Sequence, residues 1–105
     1  MDIHEFDKKF KKGDIAIIDD RWVCILSEPK PSMVNYAIQY YGLVDLVSGY
    51  FNMHIQPAGG IGWLEEINKI RLANNVEKKA LYEKLRNRGY KWNEEKFELE
   101  YKNLR

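Results

Sequence analysis

The residues that could do chemistry are few and scattered. His4, His54 and Cys24 are the only imidazole and thiol groups in the chain. A serine or cysteine nucleophile needs a base within reach and a third group to orient that base. Ser27, Ser32 and Ser48 carry no such flanking pattern. Cys24 sits inside the apolar run Trp22-Val23-Cys24-Ile25-Leu26, where a thiol packs as a small hydrophobe. One cysteine makes no internal disulfide, and the Cys/His spacing of a zinc site is absent. The pairs Asp19-Asp20, Glu65-Glu66 and Glu94-Glu95 read as turn or cap residues. Gly59-Gly60-Ile61-Gly62 invites a phosphate-loop reading, but that signature ends in Gly-Lys-Ser/Thr or opens a long helix. Here Trp63-Leu64 follows, so the stretch reads as a plain loop or a lid beside an aromatic site. The expectation is a protein without catalytic residues, metal or cofactor.

What the chain does concentrate is aromatic surface without charge. Its 105 residues hold 17 Lys plus Arg against 16 Asp plus Glu, a net +1. From Pro31 to Leu64 the only formal charge is Asp45, while Tyr36, Tyr40, Tyr41, Tyr50, Phe51 and Trp63 all fall there. Tyr and Trp dominate interface anchors. Tyr41, Tyr50 and Trp63, with Asp45 and His54 on a mixed polar face, are therefore the candidate binding residues. Basic residues offer a second surface: Lys8, Lys9, Lys11 and Lys12 near the N-terminus, and Lys78, Lys79, Arg86 and Arg88 on a helix. The last 45 residues hold 11 basic against 8 acidic groups, a weak footprint for nucleic acid.

The elements that must position these residues follow from pattern. Residues 1–12 form an arm in which Ile3, Phe6 and Phe10 suit one side of a short helix. Ile15–Ile18 and Trp22–Glu28 read as a hairpin across Asp19-Asp20-Arg21, and Pro29 to Ser32 as a loop. Val34–Val47 reads as a long strand, kinked at Gly42, that returns through Ser48-Gly49 as Tyr50–Gln56. Pairing Val47 with Tyr50 puts Leu46 opposite Phe51, Val44 opposite Met53 and Gly42 opposite Ile55, and extends an apolar face back through Tyr40, Ile38, Tyr36 and Val34. The other face then carries Asp45 opposite Asn52 and Leu43 opposite His54. One helical turn from Trp63 leads to a short strand at Ile70–Leu72.

Asn75–Arg88 reads as a helix. Asn74 and Glu77 make a capping box, Val76, Ala80, Leu81 and Leu85 make the apolar stripe, and Gly89 ends it. A hairpin of Tyr90–Trp92 and Phe97–Tyr101 closes the chain. The fold expected is α+β: an arm (1–12), a small SH3-like antiparallel β-barrel (13–73), and a C-terminal helix and β-hairpin (74–105) packed on it.

The tail residues Arg71-Leu72-Ala73, Glu77-Lys78, Leu81, Leu85, Gly89-Tyr90-Lys91-Trp92-Asn93, Glu95 and Leu99-Glu100 resemble the ending of many small uncharacterised proteins of bacteriophages and mobile elements of gut bacteria. Gly13-Asp14 and the Ser48-Gly49 hairpin are similar to their front parts. The resemblance covers about 30 residues closely and the remainder loosely, departs at Asn74 where a Thr cap is expected, and carries over no functional residue. It implies a phage or mobile-element origin.

With no signal-like N-terminus and no run near the roughly 18 apolar residues of a membrane span, the chain reads as cytoplasmic and not membrane-bound. The leading functional expectation is a binding module for protein, either self-association or a host target, with an anti-defence role compatible with the origin. The alternatives are a nucleic-acid-binding barrel and a small-ligand or nucleotide site under the 57–63 loop with Trp63 stacking.

Overall fold

The structure is a computed structural model that describes residues 2–28, 30, 31, 36–58 and 62–101. In chain order its elements are α1 (Ile3–Lys9), β1 (Ile15–Ile18), β2 (Trp22–Leu26), β3 (Lys30–Pro31), β4 (Tyr36–Ala37), β5 (Tyr40–Asp45), β6 (Phe51–Ala58), a one-turn 3₁₀ helix (Leu64–Glu66), β7 (Ile70–Leu72), α2 (Asn75–Asn87), β8 (Tyr90–Asn93) and β9 (Glu98–Tyr101). The expectations for Ser32, Val34 and Gly59-Gly60-Ile61 lie outside the described residues.

Five strands form one antiparallel sheet in the order β6-β5-β2-β1-β7. Among the described residues the row is open, with β6 and β7 as its edges. Apolar layers cover both faces. On one, Ile15, Ile17, Val23, Ile25, Tyr41 and Val44 meet Leu81 and Leu85 of α2 and Trp92 and Leu99 of the terminal hairpin. On the other, Ala16, Ile18, Cys24, Leu26, Tyr40 and Leu43 meet Phe6 and Phe10 of the N-terminal arm, Ile38 and Leu64. A strand buried on both faces shows no polar alternation, which is the sequence of β1 (Ile-Ala-Ile-Ile) and most of β2.

The β1–β2 turn puts Asp19 and Asp20 at φ 52° and 55°, and Arg21 N–H donates to Ile18 O at 3.0 Å. Aspartate is among the few side chains that tolerate this left-handed backbone. The turn is tied to the strand approach of β7: Asp19 N–H donates to Lys69 O, and Lys69 N–H donates to Asp19 Oδ1.

The expected long strand from Val34 is replaced by β4 and β5. Ile25 pairs with Gly42 and Leu26 with Tyr40, so Tyr41 is an extra residue. This bulge turns Tyr41 to the α2 side and leaves Tyr40 and Ile38 in the opposite core, where the continuous apolar face had not placed them.

The β5–β6 register also differs, by two residues. Val44 pairs with Phe51, Leu43 with Asn52 and Gly42 with Met53. From Gly42 to Val44 the expected faces survive, because a shift of two preserves side-chain parity. The connection is longer than the two residues expected: Asp45 N–H donates to Tyr50 O, and Gly49 N–H to Asp45 O, both at 2.8 Å.

α2 begins as the pattern predicts. Asn74 Oδ1 accepts from Glu77 N–H and Glu77 Oε1 from Asn74 N–H, both at 2.9 Å. The Glu77 carboxylate also takes a forked contact from Arg71 at 2.9 and 2.8 Å, which joins helix to edge strand. Val76, expected in the stripe, is exposed. The helix meets the core through Leu81 and Leu85, one and two turns further on. Gly89 at φ 83° ends the helix. In the terminal hairpin Trp92 pairs with Leu99 and Tyr90 with Tyr101. Phe97 was expected in the alternating strand. It instead takes φ 52° in the turn, with its ring against Gly13, where a Cβ would lie 2.3 Å from Phe97 Cδ1.

Candidate functional site

The five predicted binding residues divide between structural and exposed positions. Asp45 is buried, and its carboxylate is fully engaged. Arg21 donates through Nε to Oδ1 at 2.8 Å and through Nη2 to Oδ2 at 2.7 Å, a forked ion pair. Val47 N–H donates to Oδ1 at 2.9 Å and Ser48 Oγ to Oδ2 at 2.6 Å. The Arg21 bonds above all, then those from Ser48 and Val47, hold the carboxyl well below the usual carboxylate range against the opposing effect of burial. Arg21 also stacks over Trp22 at 4.7 Å from the ring centroid. Asp45 thus pins the turn 46–49, and this side-chain anchor is why the connection is longer than Ser48-Gly49 alone predicts.

His54 does not meet Asp45. It lies edge-on to Tyr40, with ring centroids 5.3 Å apart. Asn52 links the pair: its Nδ2 donates to Tyr40 Oη at 3.0 Å and lies 3.3 Å from His54 Nε2. Asn52 Oδ1 accepts from Met53 N–H at 3.0 Å. Burial, more than any neighbouring charge, raises the Tyr40 hydroxyl pKa. The polar trio on this face is therefore Tyr40, Asn52 and His54.

Tyr41 is buried against Trp92, with ring centroids 4.9 Å apart, and so belongs to the core rather than to a contact patch. Tyr50 is 55% exposed at the start of β6. Trp63 is 38% exposed and bridges Ala37 just before the 3₁₀ turn. The cationic candidates also separate. Lys8 and Lys9 lie on α1, with Lys11 and Lys12 just beyond it, and this arm packs on one face through Phe6 and Phe10. Lys78, Lys79 and Arg86 lie on α2 with Arg88 at its C-cap, and α2 covers the other face. Arg88 stacks over Phe51 at 5.3 Å.

Two features escape a residue-by-residue reading of the sequence. The first is β6 itself. It is an edge strand of eight residues, Phe-Asn-Met-His-Ile-Gln-Pro-Ala, without a formal charge, and among the described residues it pairs with β5 alone. Antiparallel pairs alternate between hydrogen-bonded and open. With Asp45 N–H bonded to Tyr50 O, the N–H and C=O of Phe51 and Met53 point away from β5. Ile55 is 51% exposed, and Leu46, Val47 and Tyr50 are exposed at the adjoining turn. Edge strands usually carry Lys, proline or bulges that discourage pairing. Here Pro57 and the irregular pairing beyond Met53 protect only the far end. The sequence signal was the uncharged stretch, but register was needed to place it on an edge.

The second feature is a cleft of about 710 Å³ between the last turns of α2 and β8, lined by Tyr82, Arg86, Tyr90, Lys91, Trp92 and Glu94 among others. Tyr82 Oη donates to Glu94 Oε1 at 3.3 Å, and burial, reinforced by Glu94, pushes the phenol up to about 12. Trp92 Nε1 is a buried donor without a partner among the described residues. Cys24 is buried, its thiol pushed up to about 12 by burial. Among the described residues no group of three or more His, Cys, Asp or Glu is gathered to hold a metal ion, and no helix is long and apolar enough to cross a membrane.

No family model, curated protein or solved structure matches the chain.

Proposed function

We propose that the chain is a non-enzymatic protein-binding module whose contact surface is the β5–β6 hairpin and the outer edge of β6. The observation that carries this reading is the eight-residue, uncharged edge strand flanked by exposed Leu46, Val47, Tyr50 and Ile55. An unpaired edge offers main-chain bonds to an incoming strand, and alternate side chains supply selectivity. The groups with chemical potential serve structural ends: Asp45 pins a turn and Cys24 fills the core. An SH3-like arrangement of the sheet is supported by the strand order β7-β1-β2-β5-β6 and by the 3₁₀ turn before the last strand. The resemblance of the tail supports a phage or mobile-element origin, and a free buried thiol suits the cytoplasm. The test is retention on immobilised protein. Wild-type chain should hold a protein partner that Ile55→Lys does not; equal retention by both overturns the reading.

The cleft beside α2 favours a second reading, a small-ligand site, because three aromatic rings and an unpartnered indole N–H meet there. This moves the ligand site away from Trp63. A nucleotide panel that leaves tryptophan fluorescence and melting temperature unchanged counts against it.

A further inference from the structure

We infer that the occupant of the β6 edge is a second copy of this chain, paired antiparallel through β6 about a two-fold axis at Met53. This rests on the protein-binding reading above and names its partner. Both faces of the sheet are already covered by the chain's own layers, so unpaired main chain is concentrated at the edges. The β7 edge is three residues long and carries Arg71, whereas β6 has eight residues and no charge. A neutral strand meets no like-charge repulsion from its own copy, and an isologous contact requires a surface that complements itself.

β6 meets that requirement with Met53 on the axis. The outward main-chain groups that the regular pairing fixes are those of Phe51 and Met53. Setting Met53 opposite its own copy places Phe51 opposite Ile55 and Asn52 opposite His54, twice over. Aromatic against β-branched is a favoured cross-strand pair, and amide against imidazole offers a donor to an acceptor. A register centred on Asn52 would instead place exposed Ile55 opposite Gly49 and leave it uncovered. The contact replaces one existing bond. Met53 N–H now donates to Asn52 Oδ1, and on pairing it donates to the opposing main chain, while the freed Asn52 oxygen faces His54 of the other copy. Asn52 thus acts as a stopper on the free edge, released when the second strand arrives.

The experiment is light scattering after size exclusion over a concentration series of full-length chain, with two variants. Ile55 is half exposed, so Ile55→Lys leaves the monomer fold intact, checked by circular dichroism. It puts a charge opposite Phe51 of the other copy. Wild type should elute at twice the 12.5 kDa chain mass and Ile55→Lys at that mass. Met53→Cys should cross-link to a dimer on mild oxidation, since this register sets the two thiols face to face. A wild-type monomer at every concentration overturns the proposal, as does a dimer indifferent to Ile55→Lys. In the first case, capture of a different protein that Ile55→Lys abolishes leaves the protein-binding reading standing, and its absence removes both.

Discussion

Replacing Trp92 by Phe sets two effects of similar size against each other. Trp92 is a buried side chain of the helix-side core, packed on Tyr41 and paired across the hairpin with Leu99. Shrinking the indole to a phenyl ring removes roughly 40 Å³, which at about 24 cal/mol per Å³ of cavity costs about 1 kcal/mol. The lost apolar contact area adds about 0.5 to 1 kcal/mol at about 25 cal/mol per Å². Against this, Nε1 is a buried donor with no partner among the described residues, and such a group costs about 1 to 3 kcal/mol. Trp92→Phe deletes that penalty. The net expected change is within about 1 kcal/mol of zero, whereas Trp92→Ala should cost about 3 to 5 kcal/mol. Urea unfolding followed by far-ultraviolet circular dichroism measures both, with the slope against denaturant checked for constancy. A loss above about 2 kcal/mol for Trp92→Phe at unchanged slope would mean instead that the indole N–H is satisfied in the folded protein.

Other expectations follow from the same geometry. The Asp45 carboxyl has a lowered pKa in the folded chain, so its contribution is fully present above the unfolded value of about 4 and is lost as pH falls from there through the folded value. Stability curves of wild type and Asp45→Asn should therefore converge as the solution is acidified below about pH 4; a gap that stays constant contradicts the Arg21–Asp45 anchor. Gly13→Ala forces a side chain into φ 92° and against the Phe97 ring. It should cost more than the roughly 1 to 2 kcal/mol of the backbone alone, and that excess should vanish in a Phe97→Ala background, as a double-mutant cycle would report. Cys24 should resist thiol reagents at pH 8 in the folded protein and react fully in denaturant; rapid native labelling would show that the β2 core opens.

Where the sequence was legible, local chemistry and packing agreed. The Ile15–Ile18 and Trp22–Leu26 hairpin, the Asn74–Glu77 box, the Gly89 stop and the one-turn helix before Ile70 all stand in the structure. The misreadings arose where a side chain at a distance took control. The β5–β6 register moved by two because Asp45, held by Arg21 from another turn, captures Val47 N–H and Ser48 Oγ. Tyr41 moved into the core because a bulge shifts side-chain parity, and nothing in Tyr40-Tyr41-Gly42 marks where the extra residue falls. Phe97 reads as a strand residue by alternation, yet its seat is the space left by a glycine some 84 positions away in the chain. Of the candidate site, the uncharged stretch was visible as composition. That it forms an edge depends on which strands pair, a long-range property that periodicity does not encode.

Amide hydrogen exchange along β6 decides whether that edge is the contact surface. Phe51 N–H points away from β5, and among the described residues no strand lies beyond it. If β6 is the contact surface, this amide exchanges quickly in dilute protein and becomes protected as the chain is concentrated or its partner added, while Val23 in central β2 stays slow throughout. Exchange at Phe51 that stays fast under every condition in which the protein associates would contradict the account.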